Sequence, residues 1–425
     1  MKHRLHGTIA VLVAVCLVVI VATGCGSRTG QATDNGTTIP SGTDDTSMPQ
    51  VQQLTASMFT ESAVERFGWS GGAVEMDGRV YYGVPQVSER GLGVFSRALA
   101  SFGTVKALYI TKKPVSAVIS QEQGQSSGTG NAAGTPSQPD VTTSLSDTEL
   151  PDESIITVIG AGGGWVTSLE YVRSYVGNEQ QTKTWKLVSH NVASGRVRTL
   201  ATDAGSNGPA YVPHATQDGT QVLYDLTDKA AFNGPRHSRL VLVDLAAGTT
   251  RTVVDSSDKQ YWLPTLQGER ILTGVTPMEG ATTATSRLVI LDLKGAETAQ
   301  VTTGVLMGTL SGNTVVWLAI TDQSKTSVQM YDLQTRTTRT LYKGGTVGEF
   351  AVNDRTVAFT DASDSAGFMY ERSSGKLYRL NPTGSDIMNV FLLPTQVLFE
   401  IKRDTGTGDS TFTMGVAPLS VPAGS

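Results

Sequence analysis

Gly68-Trp69-Ser70-Gly71-Gly72 has the spacing of a nucleophile elbow, in which a serine stands on a sharp turn between a strand and a helix. Such a serine needs a histidine base with a carboxylate behind it. The histidines beyond the N-terminal region are His190, His214 and His237. Each falls in an alternating strand-like run or beside one, and no Asp-His order supports a triad. The pentapeptide also precedes a strand pattern rather than a helix, so it reads as a Gly-rich entry to a strand. Gly160-Ala161-Gly162-Gly163-Gly164 suggests a phosphate loop but lacks the Gly-Lys-Ser/Thr ending, and a turn between strands is expected there. Asp361 with Asp364, and Asp404 with Asp409, could ligate calcium. The Asp-x-Asp-x-Asp-Gly spacing is missing, so solvated loop carboxylates are expected. The three histidines would hold a metal only if the fold gathered them. No catalytic residue, metal or cofactor is assigned on these grounds.

Cys25 is the residue with the most specific context. Lys2 and Arg4 precede an unbroken apolar run from Ile9 to Val21. Its 13 residues are short of the roughly 20 that span a bilayer, and they suit the apolar core of a secretory signal. Ala22, Thr23 and Gly24 lead into Cys25. This resembles the lipobox of bacterial lipoproteins, with Ala22 where leucine is commonest. The resemblance implies removal of residues 1–24 and a diacylated Cys25 at the new N-terminus. A plain signal peptide with an incidental cysteine, or an uncleaved anchor, is the alternative. Cys16 would leave with the signal, so no structural disulfide is expected. Residues 25–55 are rich in Gly, Ser, Thr and Asp and offer little to bury, which predicts a flexible tether of about 30 Å.

Composition narrows the partners. Of 425 residues, 33 are basic and 38 acidic, giving a net charge of −5 with no basic block. The electrostatic drive for nucleic-acid binding is therefore absent. The hydrophobic content of 39% is enough for a folded body.

The elements that would position these residues form a repeat. KLVSHNVASGRVRTL, RLVLVDLAAGTTRTV, RLVILDLKGAETAQV, SVQMYDLQTRTTRTL and GFMYERSSGKLYRL align on Asn191, Asp244, Asp292, Asp332 and Glu371. Four residues on stand Gly195, Gly248 and Gly375, with Ala296 and Arg336 in the other copies. An acidic or amide cap and a left-handed residue make a tight hairpin, so these side chains read as turn formers. Two further strand-like runs lie upstream of each hairpin, such as AYVPHATQDGTQVLYDL with its Asp218-Gly219 turn. Four short antiparallel strands in about 40–50 residues are the unit of a β-propeller. The predicted class is all-β, with about seven four-stranded blades over residues 56–425, six or eight being the alternatives. The blades fall near 71–111, 154–200, 208–253, 260–301, 304–341, 347–380 and 387–419. Residues 121–152 read as a polar, disordered insertion, and about 54–67 as a short helix. Trp69, Trp165, Trp185, Trp262 and Trp317 are expected to pack between blades.

The hairpins and the QDGTQVLY turn resemble TolB-like propellers and the propeller domains of dipeptidyl peptidases. The Pro-x-x-Ser-Pro-Asp-Gly turn of TolB repeats survives only as Pro213 to Gly219. The hydrolase domain that follows the propeller in those peptidases is not expected, since the chain ends at Ser425. The lipobox and the repeat together predict a lipid-anchored propeller on the extracytoplasmic face of the bacterial cell membrane, expected to be monomeric, and the resemblance to TolB-like proteins implies other envelope proteins as the partners it binds or scaffolds. The alternative is a binder of small ligands or glycans, or an enzyme, with its site in the central funnel.

Overall fold

A computed structural model describes residues 48–62, 72–83, 92–98, 106–112, 153–176, 179–203, 211–227, 237–279, 285–322, 325–406 and 410–419. Cys25, Ser70, Trp69, Asp409 and the insertion at 121–152 lie outside them.

Two short strands come first, β1 (Val51–Gln53) and β2 (Thr60–Ser62), separated by a 3-10 turn at Ala56–Met58. Twenty-seven more strands follow, and with β1 and β2 they form seven sheets among the described residues. Blade 1 is β3 (Ala73–Met76), β4 (Arg79–Gly83), β5 (Leu92–Ala98) and β6 (Lys106–Lys112). Blade 2 is β7 (Glu153–Gly162), β8 (Trp165–Val176), β9 (Glu179–Asn191) and β10 (Val197–Thr202). Blade 3 is β11 (Ala215–Asp218), β12 (Gln221–Thr227), β13 (Ser238–Asp244) and β14 (Thr249–Ser256). Blade 4 is β15 (Lys259–Gln267), β16 (Arg270–Pro277), β17 (Arg287–Asp292) and β18 (Glu297–Thr303). Blade 5 is β19 (Val305–Ser311), β20 (Thr314–Asp322), β21 (Lys325–Asp332) and β22 (Thr337–Gly344). Blade 6 is β23 (Val347–Val352), β24 (Thr356–Asp361), β25 (Ala366–Glu371) and β26 (Lys376–Arg379). Blade 7 has only three strands of its own, β27 (Asp386–Leu392), β28 (Gln396–Asp404) and β29 (Ser410–Pro418).

Each blade is an antiparallel meander whose first strand touches the first strand of the next blade, and β27 of blade 7 returns to β3 of blade 1. The chain is a seven-bladed β-propeller. Closure of the ring covers the apolar sheet faces that an open stack would expose at its two ends.

The missing strand of blade 7 comes from the N-terminal region. Thr60 pairs antiparallel with Val416 and Ser62 with Met414, so β2 is the outermost strand of the last blade. The segment before it is also folded. Val51 pairs in parallel with Leu377, and Gln53 with Arg379, which makes β1 a fifth strand on blade 6. Between the two, Leu54 is buried and Met58 and Phe59 pack into the apolar layer of blades 6 and 7. Over residues 54–62 the expected helix is therefore corrected to a 3-10 turn and a strand, and residues 63–67 lie outside the described residues. Residues 51–54, expected to belong to the tether, are instead held in the fold, because the edge strand of blade 6 supplies the backbone partners that this polar stretch lacks by itself.

The core is not one mass. Seven apolar clusters lie one at each junction between successive blades, including the junction of blade 7 with blade 1. Alternation along each strand feeds both neighbouring layers. In β13, Val241 and Val243 face blade 2 while Leu240 and Leu242 face blade 4.

Candidate functional site

The repeated acidic residues hold turns. Asp244 Oδ1 accepts the N–H groups of Ala246 and Ala247 at 2.9 Å, and Asp332 Oδ1 those of Gln334 and Thr335 at 2.8 Å. Asp292 Oδ1 accepts from Lys294 and Ala296, and Asn191 Oδ1 from Ser194. Glu371 Oε2 accepts the Ser374 hydroxyl. The Gly-rich run ends β7 in a two-residue turn, with Gly163 and Gly164 at φ of 56° and 79°. Just before it, a Cβ on Gly160 would stand 2.6 Å from the Gln217 Cβ, so the first strands of blades 2 and 3 need a glycine to approach this closely. Trp165, Trp185 and Trp317 are buried between blades as expected, and Trp262 donates Nε1–H to Thr276 Oγ1 at 3.0 Å.

The three histidines stay apart. His190 is buried in β9, and burial first, then the charge of Lys186, pushes its pKa down to about 4. His237 pairs with the exposed Asp255. Among the described residues no group of three or more His, Cys, Asp or Glu is placed to hold a metal. Asp364 and Asp404 are exposed. Asp361 is not a solvated loop carboxylate: it is 1% exposed. Its Oδ2 accepts the Tyr342 hydroxyl at 2.8 Å and the Gly345 N–H at 3.1 Å, and Oδ1 accepts the Ser363 N–H. These donors replace its water shell and tie blade 5 to blade 6. Burial and this carboxylate raise the Tyr342 pKa well above its usual value.

His214 acquires a partner that the sequence reading did not assign. Asp225 is fully buried, and its Oδ1 accepts the His214 backbone N–H at 2.7 Å. Its Oδ2 accepts the Tyr211 hydroxyl at 2.9 Å and the Leu263 N–H of blade 4 at 3.2 Å. The His214 Nδ1 lies 3.3 Å from the same oxygen, and 40% of its side chain is exposed. A signal for this pair existed in the turn. With Asp218 opposite Gln221, the β11–β12 register counted outward past Ala215 and Tyr224 sets His214 opposite Asp225.

A larger feature is a cleft of about 680 Å³ between blades 5 and 6. Blade 5 contributes Asp332, Thr335, Thr337 and Arg339 from the β21–β22 turn and the strand after it. Blade 6 contributes Asp354 and Arg355 from the β23–β24 hairpin, and Tyr370, Arg372 and Ser373 from β25 and its turn. In a meander these hairpins share one end of the blade, so the cleft opens on a single face of the disk. Arg339 Nη1 donates to the Tyr370 hydroxyl at 2.9 Å, and its guanidinium carbon lies 5.7 Å from that ring's centre. Arg372 Nη1 donates to the Asp354 carbonyl at 2.9 Å, and Nη2 is 3.9 Å from Asp332 Oδ2. β1 runs parallel to β26, so the chain enters the fold at this same end of blade 6.

No protein-family model matches the chain, and no curated protein sequence matches it. Several solved structures are similar to parts of it. A prolyl endopeptidase is 14% identical with a TM-score of 0.43, over 62% of this chain and 41% of that one. An oligogalacturonate lyase in complex with manganese is 10% identical with a TM-score of 0.44, over 88% and 99%. TolB from Acinetobacter baumannii is 14% identical with a TM-score of 0.38, over 80% of each chain. The chain thus spans less than half the length of the first peptidases it resembles. At these identities the likeness concerns the propeller fold alone.

Proposed function

We propose that the protein is a lipid-anchored, extracytoplasmic β-propeller that binds or scaffolds other proteins of a bacterial cell envelope, with Cys25 carrying the lipid. The observation that supports this most directly is where the chain enters the ring. Residues 48–53 reach the disk at the outer edge of blade 6, beside the β25–β26 turn, so the chain joins the ring at its rim and not at its centre. A rigid scaffold that presents loops on two faces suits recognition of a large surface. In this reading the protein is a monomeric binder, not a catalyst, and needs no cofactor. Two measurements test it. Membrane fractionation should place the protein in the pellet and the Cys25→Ala variant in the soluble fraction. Crosslinking in intact cells, read by mass spectrometry, should return the same envelope protein repeatedly; recovery of no protein partner would defeat the scaffold reading.

A second reading, a small-ligand, glycan or catalytic site at the central funnel, draws on His214. It is half-exposed just ahead of an innermost strand, with a buried carboxylate behind its Nδ1. That arrangement orients an imidazole for proton transfer. A change in ligand binding or turnover on His214→Gln would favour this reading over the first.

A further inference from the structure

We infer that the cleft between blades 5 and 6 binds a phosphate ester. Three guanidinium groups, those of Arg339, Arg355 and Arg372, line one cavity in a chain whose net charge is −5. The two aspartates there leave a local excess of one positive charge, and both are engaged. Asp332 Oδ1 caps its turn and Asp354 Oδ1 accepts from Ser311. Arg339 is held over Tyr370 and Arg372 is tied to the Asp354 carbonyl, so both are fixed in direction before a ligand arrives. Arg355 is exposed, and its guanidinium makes no hydrogen bond or ion pair with the described residues. Guanidinium groups match phosphate oxygens two at a time, which a point charge does not. Hydroxyls complete the donor set. Thr335 and Thr337 share one hydrogen bond at 2.8 Å, and Ser373 is exposed at the rim. The volume of about 680 Å³ exceeds what a bare phosphate needs and fits an esterified one. The same chemistry is offered by a soluble phosphorylated metabolite and by a phospholipid headgroup. The inference does not depend on acylation of Cys25, because the cavity is built entirely from blades 5 and 6.

The full chain carrying Cys25→Ala separates the two sources. In one arm, calorimetry and phosphorus NMR follow titration with glycerol phosphate. In the other, co-sedimentation compares phosphatidylglycerol vesicles with phosphatidylcholine vesicles. Saturable binding in either arm, weakened at least tenfold by Arg355→Ala and by Arg372→Ala but not by Lys294→Ala, is the expected result. Lys294 is an exposed cation on a turn of blade 4 and controls for lost charge. Binding in the first arm identifies a soluble ester, and binding in the second alone identifies a headgroup. If Arg372→Ala does not fold, the exposed Arg355→Ala carries the test. Absence of saturable binding in both arms overturns the inference, as does binding that Arg355→Ala leaves intact or that Lys294→Ala weakens equally.

Discussion

Single side chains set the local stability of this propeller through two opposite effects, satisfied burial and backbone strain. Asp225 illustrates the first. Its carboxylate receives the Tyr211 hydroxyl and two backbone N–H groups, one from the next blade. Asp225→Ala leaves those donors without an acceptor in a water-poor layer, and the variant should lose about 3 kcal/mol or more in chemical denaturation. Arg336 illustrates the second. It takes φ of 58° in the turn where Gly195, Gly248 and Gly375 stand in other blades, and its side chain is exposed. Arg336→Gly should therefore stabilise by about 1 kcal/mol, the cost of holding a side-chain-bearing residue in the left-handed region. His190 adds a pH dependence. The unfolded chain protonates it near 6.5, whereas the folded one resists until about 4. Between those values the unfolded state binds more protons, so stability is full above pH 6.5 and falls as pH drops toward 4. Denaturation midpoints across that window should show a slope that flattens in His190→Gln.

At the scale of elements, the sequence displays what is local and hides what is distant. The cap at Asp244 and the left-handed Gly248 lie within five residues, and the alternation of RLVLVD lies within one strand. The blade limits are legible for that reason, and most described strands fall within a few residues of them, although β11 starts only at Ala215 and blade 7 takes its outer strand from residues 60–62. Thr60-Glu61-Ser62 carries no alternation and no apolar side chain, and its partners lie some 350 residues away. Neither its pairing nor the cleft joining two separate hairpins could be read from spacing, because both depend on which blades become neighbours. The closing strand also has its own electrostatics. Arg403 of β28 forms a forked pair with Glu61, Nη2 to Oε2 at 2.8 Å, and this pair holds the Glu61 pKa below its usual value. That contribution is present at neutral pH and fades as pH falls through the carboxylate range. Truncation measures the element itself. Removing residues 1–47 should leave Tm nearly unchanged, since those residues precede β1. Removing 1–62 should lower it by 10 °C or more, on the order of several kcal/mol across a folded body of this size, and promote aggregation through the exposed edge of β29.

At the scale of the whole molecule, the question is whether seven thin layers behave as seven cores or as one. Each layer is shared by two blades, so no blade can unfold without exposing apolar surface on both neighbours. An open stack would let terminal units fray independently. The ring has no terminal unit, because β2 seals blade 7 and β27 contacts β3. Breaking any single junction should then propagate around the circle, which predicts one cooperative transition. The tryptophans make this measurable. Trp165 and Trp185 report on blades 2 and 3, and Trp317 on blades 4 and 5. No described tryptophan lies in the layer between blades 6 and 7, where Phe399 is fully buried with its ring centre 5.4 Å from that of Phe59. Phe399→Ala opens that layer and should cost about 3–5 kcal/mol. If the ring is one unit, the tryptophan fluorescence midpoint shifts by the same amount as the circular dichroism midpoint, although no described tryptophan touches the altered residue. A fluorescence midpoint that stays at the wild-type value while the dichroism signal broadens would show that the junctions melt separately.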